Sequence, residues 1–222
     1  MSTETVAPAP APAPAPTPAH AAAAAAVPAG PFAEPTPLGL IGLAVGCAAL
    51  TPIAFGMTLA PAAGRTAAII CLLFGGGCQF LAGMMAFANR NLHGGTLLTA
   101  FSFNWVLNWW ALEAVADGMV PDGGVVLAMD VLLLVVFAAM TWAFGYFGKL
   151  LFALLLDVVL LYVCRVADAV FHTQALAIPI GVLTVALGAI ALWIAFAILI
   201  NPVAGRRVFP FPGPMYGPLK AP

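Results

Sequence analysis

Asn104 and Asn108 stand four residues apart in the apolar stretch TLLTAFSFNWVLNWWALEAV. On a helix that spacing places both amides on one face. Each amide carries donors and acceptors, so the pair suits a small solute able to give and accept hydrogen bonds. Gln79, in GGGCQFLAG, and Asp157, in FALLLDVVLLYV, are further polar groups set in apolar surroundings. Polar groups in hydrocarbon are costly and mostly face a bundle interior or a water-filled path. The plainer reading of each is an interhelical hydrogen bond, worth about 0.6 kcal/mol on average. Covalent chemistry is not indicated. His20, His93 and His172 are scattered, and Cys47, Cys71, Cys78 and Cys164 sit in apolar runs without a CxxC pair. The cysteines read as small buried hydrophobes, and neither an enzyme, a metal nor a cofactor is expected.

The elements that must position these groups follow from composition. The chain is 64% hydrophobic and 7% charged, against about 25% charged in soluble domains. Mean hydropathy is +1.09. A net charge of −1 gives no reason to expect a nucleic-acid partner. The expected class is an all-α integral membrane protein, with six transmembrane helices in one bundle embedded in a lipid bilayer. The apolar stretches fall at about Pro37–Leu59, Ala67–Ala88, Thr96–Ala116, Val125–Phe147, Leu150–Ala167 and Ala175–Ile200. Each approaches the roughly 20 residues that cross a core of about 30 Å. Barrel strands would alternate apolar and polar residues, which these runs do not. Pro52 and Pro179 imply a kink or an early break in the first and sixth spans.

Residues 1–33 form an Ala/Pro-rich tail read as disordered and not as a secretory signal. Residues 34–210 hold the six-helix channel or transporter domain, and 211–222 a Pro/Gly-rich C-terminal tail. An even number of spans places both termini on one side, with Arg90, Lys149, Arg206, Arg207 and Lys220. The other side keeps Arg65 and Arg165. The basic excess marks the terminal side as cytoplasmic, in a multi-pass protein of the cell membrane. Gly39, Gly42, Gly46, Gly75, Gly83, Gly181 and Gly188 allow close helix approach, within a protomer or between protomers. Glu113, Asp117 and Asp130 are expected at solvated or interfacial span ends. Arg165 lies two turns beyond Asp157 and is not taken as its partner.

Several stretches resemble the acetate uptake transporter family. That family opens its first span with Asn-Pro-x-Pro-Leu-Gly-Leu-x-Gly-Phe, and EPTPLGLIGL, Glu34 to Leu43, is similar. GGGCQFLAGMMAFANRNLHGGT supplies Gly76, Gln79, Ala82, Gly83, Phe87 and Asn91 of the second-span pattern. TAFS, Thr99 to Ser102, and NPVAGRRVFP, Asn201 to Pro210, match two further elements. The resemblance implies six-helix protomers assembled as a hexameric homo-oligomer, each with its own path for a small carboxylate, moving with protons. It places Pro35, Leu38, Gly39 and Leu40 in an anion-binding motif, where backbone N–H groups at a helix start suit a carboxylate. It implies a constriction at Leu43, Asn104 and Leu154, where the family carries Phe, Tyr and Leu. The chain departs from the pattern at Glu34, Leu43, Asn104 and Ile198, so this is a divergent member.

The expected function is therefore a channel or secondary transporter for acetate or a related small monocarboxylate. Gln79, Asn104 and Asn108 serve as hydrogen-bonding stations. Ionised Asp157 would repel that solute, so it would have to hold a proton while the anion passes, which makes it the proton-coupling candidate. Against this, Glu34 and Asp157 favour a neutral solute such as urea, a short amide or ammonia. Asp157 is equally read as a structural group facing another helix. A non-transporting scaffold or sensor, with the Pro-rich tail as partner site, is the third reading.

Overall fold

The computed structural model describes residues 30–217. The expected Ala/Pro tail lies, for residues 1–29, outside the described residues, as do residues 218–222. Six long helices make up the described chain: α1 (Thr36–Ala54), α2 (Pro61–Ala88), α3 (Leu92–Ala116), α4 (Gly123–Phe144), α5 (Lys149–Val170) and α6 (Ala177–Ala204). Among the described residues there is no strand.

Helix limits follow local chemistry. Pro35 caps α1, and Pro37 sits in its first turn, where a missing N–H breaks no bond. Pro52 lies inside α1, and the helix ends at Ala54, well short of Leu59, where Gly56 turns left-handed (φ 78°) and Met57 N donates to Pro52 O (3.0 Å). Asn91 and Asp122 start α3 and α4 by accepting from Gly94 N (2.9 Å) and Val125 N (2.8 Å). Pro179 lies in the first turn of α6. It therefore neither kinks nor breaks the helix, unlike the expectation from its place inside the sixth apolar stretch. Gly205, in the left-handed region at φ 61°, ends α6.

Five helices (α1, α2, α4, α5 and α6) are long and apolar enough to cross a membrane. α3 is 25 residues long but carries the polar residues Ser102, Asn104, Asn108 and Glu113, and it is not among the five. The middle of α2, Cys71–Cys78, is a π-helical segment containing three consecutive glycines. Such wide turns inside α-helices are frequent at functional sites.

α1 packs against α6 and α2, α2 against α3, and α5 against both α4 and α6. Between α3 and α4 the ring is completed by side chains: Phe101 meets Phe137 edge-on, with centroids 5.0 Å apart. Leu43, Trp105, Phe137, Leu155, Val158 and Ile194 fill the interior. The outward faces are apolar, with Leu73, Leu132, Val135, Trp142 and Val182 exposed, as lipid contact requires. The small residues are used within the protomer. The Trp105 ring lies between Gly46 and Gly75, and a Cβ on Gly46 would come within 2.7 Å of it. Residues after α6 turn back over the α4–α5 corner: Lys149 N donates to Gly213 O and Met215 N to Gly145 O.

Candidate functional site

Two cavities enter the ring from opposite ends. The near vestibule, about 560 Å³, lies at the end where the described chain begins, among Glu34, Pro35, Leu40, Arg90, His93 and Leu154. The far vestibule, about 470 Å³, lies among Cys47, Asn104, Asn108, Tyr162, Arg165 and Asp168. Between them is a gap of about 20 Å³ walled by Leu40, Leu43, Gln79, Phe101, Leu154 and Val158. It shares Leu40 and Leu154 with the near vestibule and Phe101 and Val158 with the far one. A volume of that size holds about one water. The three spaces together form an hourglass with an apolar waist.

The helices place the sequence candidates unequally. Leu43 and Leu154, from α1 and α5, meet in the waist with Gln79 from α2. Gln79 is 1% exposed, and its Oε1 has no partner among the described residues. Leu40 reaches both waist and near vestibule, and Pro35 lines the latter. Leu38 and Gly39 line none of these spaces. Leu38 is 37% exposed on the outer face, and Gly39 packs against Leu98 and Ala82. Consecutive helical residues point about 100° apart, so 38, 39 and 40 cannot all face one path. Asn104 lines the far vestibule, while Phe101, one turn earlier on α3, occupies the waist where Asn104 is expected. The face that carries Asn104 outward carries Phe101 inward by one turn.

Asn104 Oδ1 accepts from Tyr162 OH at 3.1 Å, and Asn108 Nδ2 donates to the Asn104 backbone carbonyl at 2.9 Å. Asp157 lines neither vestibule nor waist. It is 7% exposed, within electrostatic reach of Cys47 on α1, and its Oδ2 is unpartnered among the described residues.

The half-buried ion pair of the site was not legible as such. Asp130, expected at an interface, is 4% exposed and holds Arg165 through Nε and Nη2, both at 3.1 Å. The physical reason is that α4 begins at Gly123, so Asp130 lies two turns inside it and faces α5. An arginine and an aspartate 35 residues apart gave no local signal. Arg65 in turn pairs with Glu113 (3.1 Å) and Asp117 (2.6 Å), tying α2 to the end of α3. Among the described residues no three His, Cys, Asp or Glu side chains gather as a metal site.

The geometry resembles a known one. The fold matches the solved structure of the bacterial acetate channel SatP, with a TM-score of 0.74 over 81% of this chain and 99% of that chain, at 21% identity. This chain shares the fold of that protein. A glyoxylate pathway regulator from Yarrowia lipolytica is 35% identical over 96 residues, which cover 41% of this chain and 33% of that protein. The matched stretch thus spans about a third of the curated relative's length. No protein-family model matches the chain. Both similar proteins agree with the acetate uptake transporter family that the motifs resemble, and neither is named as an enzyme.

Proposed function

We propose that the chain conducts acetate or a related small monocarboxylate across the membrane, through the path between α1, α2, α3 and α5. The observation that carries this reading is the hourglass: two vestibules aligned on one apolar waist inside a single protomer. The structural match to an acetate channel supports the solute class. A carboxylate sheds water at the waist, so Leu43 and Leu154 act as the gate and Gln79 offers the hydrogen bond there. Asn104 and Asn108 serve the far vestibule. Asp157 carries the coupled proton. In this reading α3 is the sixth crossing, both termini are cytoplasmic, and protomers assemble as a hexamer in the cell membrane. Pro35, Leu38, Gly39 and Leu40 form the near-side anion motif, with Leu38 and Gly39 acting through helix position and not by lining.

A second reading, passage of a neutral solute such as urea or a short amide, is favoured by one observation. Each vestibule carries a carboxylate, Glu34 in the near one and Asp168 in the far one. Flux of labelled acetate and labelled urea into proteoliposomes, with and without a pH gradient, separates the readings. Saturable acetate flux supports the first; urea flux without acetate flux replaces it with the second.

A further inference from the structure

Arg165 is placed unlike the other charges of the far vestibule. Its guanidinium is half-buried, with a side chain 31% exposed, while its partner Asp130 is 5% exposed and lies behind the lining. Asp130 grips the Nε and Nη2 edge, leaving Nη1 without a partner among the described residues. The guanidinium carbon also sits 5.5 Å from the Tyr162 ring centroid. Arginine's donors form a rigid fork, so an edge fixed on Asp130 fixes the direction of the remaining donors. Arg165 lines both the far vestibule and an adjoining recess of about 120 Å³ shared with Asn104 and Asn108, so its guanidinium stands within reach of what enters the far end.

One further donor stands deeper along the same wall. The Tyr162 hydroxyl occupies Asn104 Oδ1, so that amide has its Nδ2 left to give. Trp105 lines the vestibule too, but its Nε1 is buried away from that space. A carboxylate oxygen would satisfy Arg165 and Asn104, and charge-assisted bonds to guanidinium are the stronger kind. Asp168 lines the same space one turn nearer the end of α5, and its charge opposes an anion. With Asp130 and Asp168 both negative, capture depends on directed bonds from Arg165 and not on a positive field.

We propose that Arg165, positioned by Asp130, is the capture residue for small monocarboxylates in the far vestibule, handing them to Asn104 ahead of the waist. This rests on the transport reading above. The test is the concentration dependence of labelled acetate flux in proteoliposomes holding the full chain. Arg165→Gln alone would strand Asp130, so it is paired with Asp130→Asn, which leaves no buried unpaired charge. The double variant should raise the half-saturating acetate concentration about tenfold, the equivalent of one charge-assisted hydrogen bond, with maximal flux within about threefold. Arg165→Lys keeps the charge and should recover only part of that shift. Saturable wild-type flux whose half-saturation neither variant moves overturns the capture role and leaves the transport reading standing. No wild-type acetate flux overturns both.

Discussion

Tyr162 on α5 donates its hydroxyl to Asn104 on α3 at 3.1 Å, across the interior of the ring. The two helices are not sequence neighbours, and this bond fixes which end of the Asn104 amide faces the far vestibule. Tyr162 also packs its ring on Phe137 of α4, with centroids 5.6 Å apart. One tyrosine thus joins α3, α4 and α5 at the level just beyond the waist.

Tyr162→Phe removes the bond and leaves Asn104 Oδ1 unpaired in a buried place. The expected loss is about 1–2 kcal/mol of stability, read as a lower unfolding midpoint in detergent. A midpoint equal to wild type would show that the amide finds another donor. In flux assays the same variant should weaken discrimination among short carboxylates, because Asn104 is then free to turn.

Leu43→Trp fills a waist that has room for about one water. Acetate flux should fall at least about tenfold, a barrier increase of roughly 1.4 kcal/mol or more, without loss of folded protein. Flux unchanged in this variant would place the path elsewhere. Asn104→Leu tests the next level outward and should reduce flux by removing a hydrogen-bonding station.

Asp130→Asn alone breaks the pair with Arg165 while leaving a half-buried guanidinium without its acid. Breaking a buried pair costs about 3–5 kcal/mol, and the 31% exposure of the Arg165 side chain puts the expectation near the lower figure. The double variant with Arg165→Gln should recover part of that loss. Thermal melts of the single and double variants form the measurement. By contrast, removing Arg65 from Glu113 and Asp117 should cost no more than about 1 kcal/mol, since the Arg65 side chain is half exposed.

Asp157→Asn keeps the volume and removes the titrating group. If Asp157 takes a proton from the acidic side and releases it on the other, an inward proton gradient stimulates wild-type uptake and leaves the variant unstimulated. The sign is fixed by the step: the anion passes while the carboxyl is protonated, so acid on the entry side speeds uptake. A variant that keeps the full stimulation removes Asp157 from the coupling. Cys47→Ala, beside it on α1, is the control for a general packing effect.

Gly46→Ala places a methyl within 2.7 Å of the Trp105 ring, which Gly75 confines from its other flank. The ring cannot move away without opening the contact of α1 with α2. Overpacking of this kind costs about 1–3 kcal/mol, seen as a lowered unfolding midpoint. An unshifted midpoint would mean that the ring has more freedom than its surroundings indicate.

Much of the fold was legible because lipid imposes a simple rule. Backbone groups must be satisfied within each span, so uninterrupted apolar runs read as helices. The C-terminal limits of α2 and α3 fall on the expected Ala88 and Ala116, where Asn89 and Asp117 follow. Limits near proline were less legible. Pro52 is carried inside α1, which ends just before Gly56, and Pro179 sits in the first turn of α6, so neither proline breaks its helix.

The candidate site divides along the same line. Composition and uninterrupted apolar runs, by themselves, determined the element type, the helix count and the presence of a few costly polar groups in those runs. Those properties are local: each follows from about 20 consecutive residues and their exchange with water or lipid. Helix rotation was decided only by tertiary packing. It turned Leu38 outward, put Phe101 in the waist and Asn104 beyond it, kept Asp157 out of the lining and joined Asp130 to Arg165. An all-round apolar helix carries almost no signal of which face turns inward. That choice was made by where glycines let neighbours approach, as Gly46 and Gly75 do around Trp105, and by which buried polar groups could find each other.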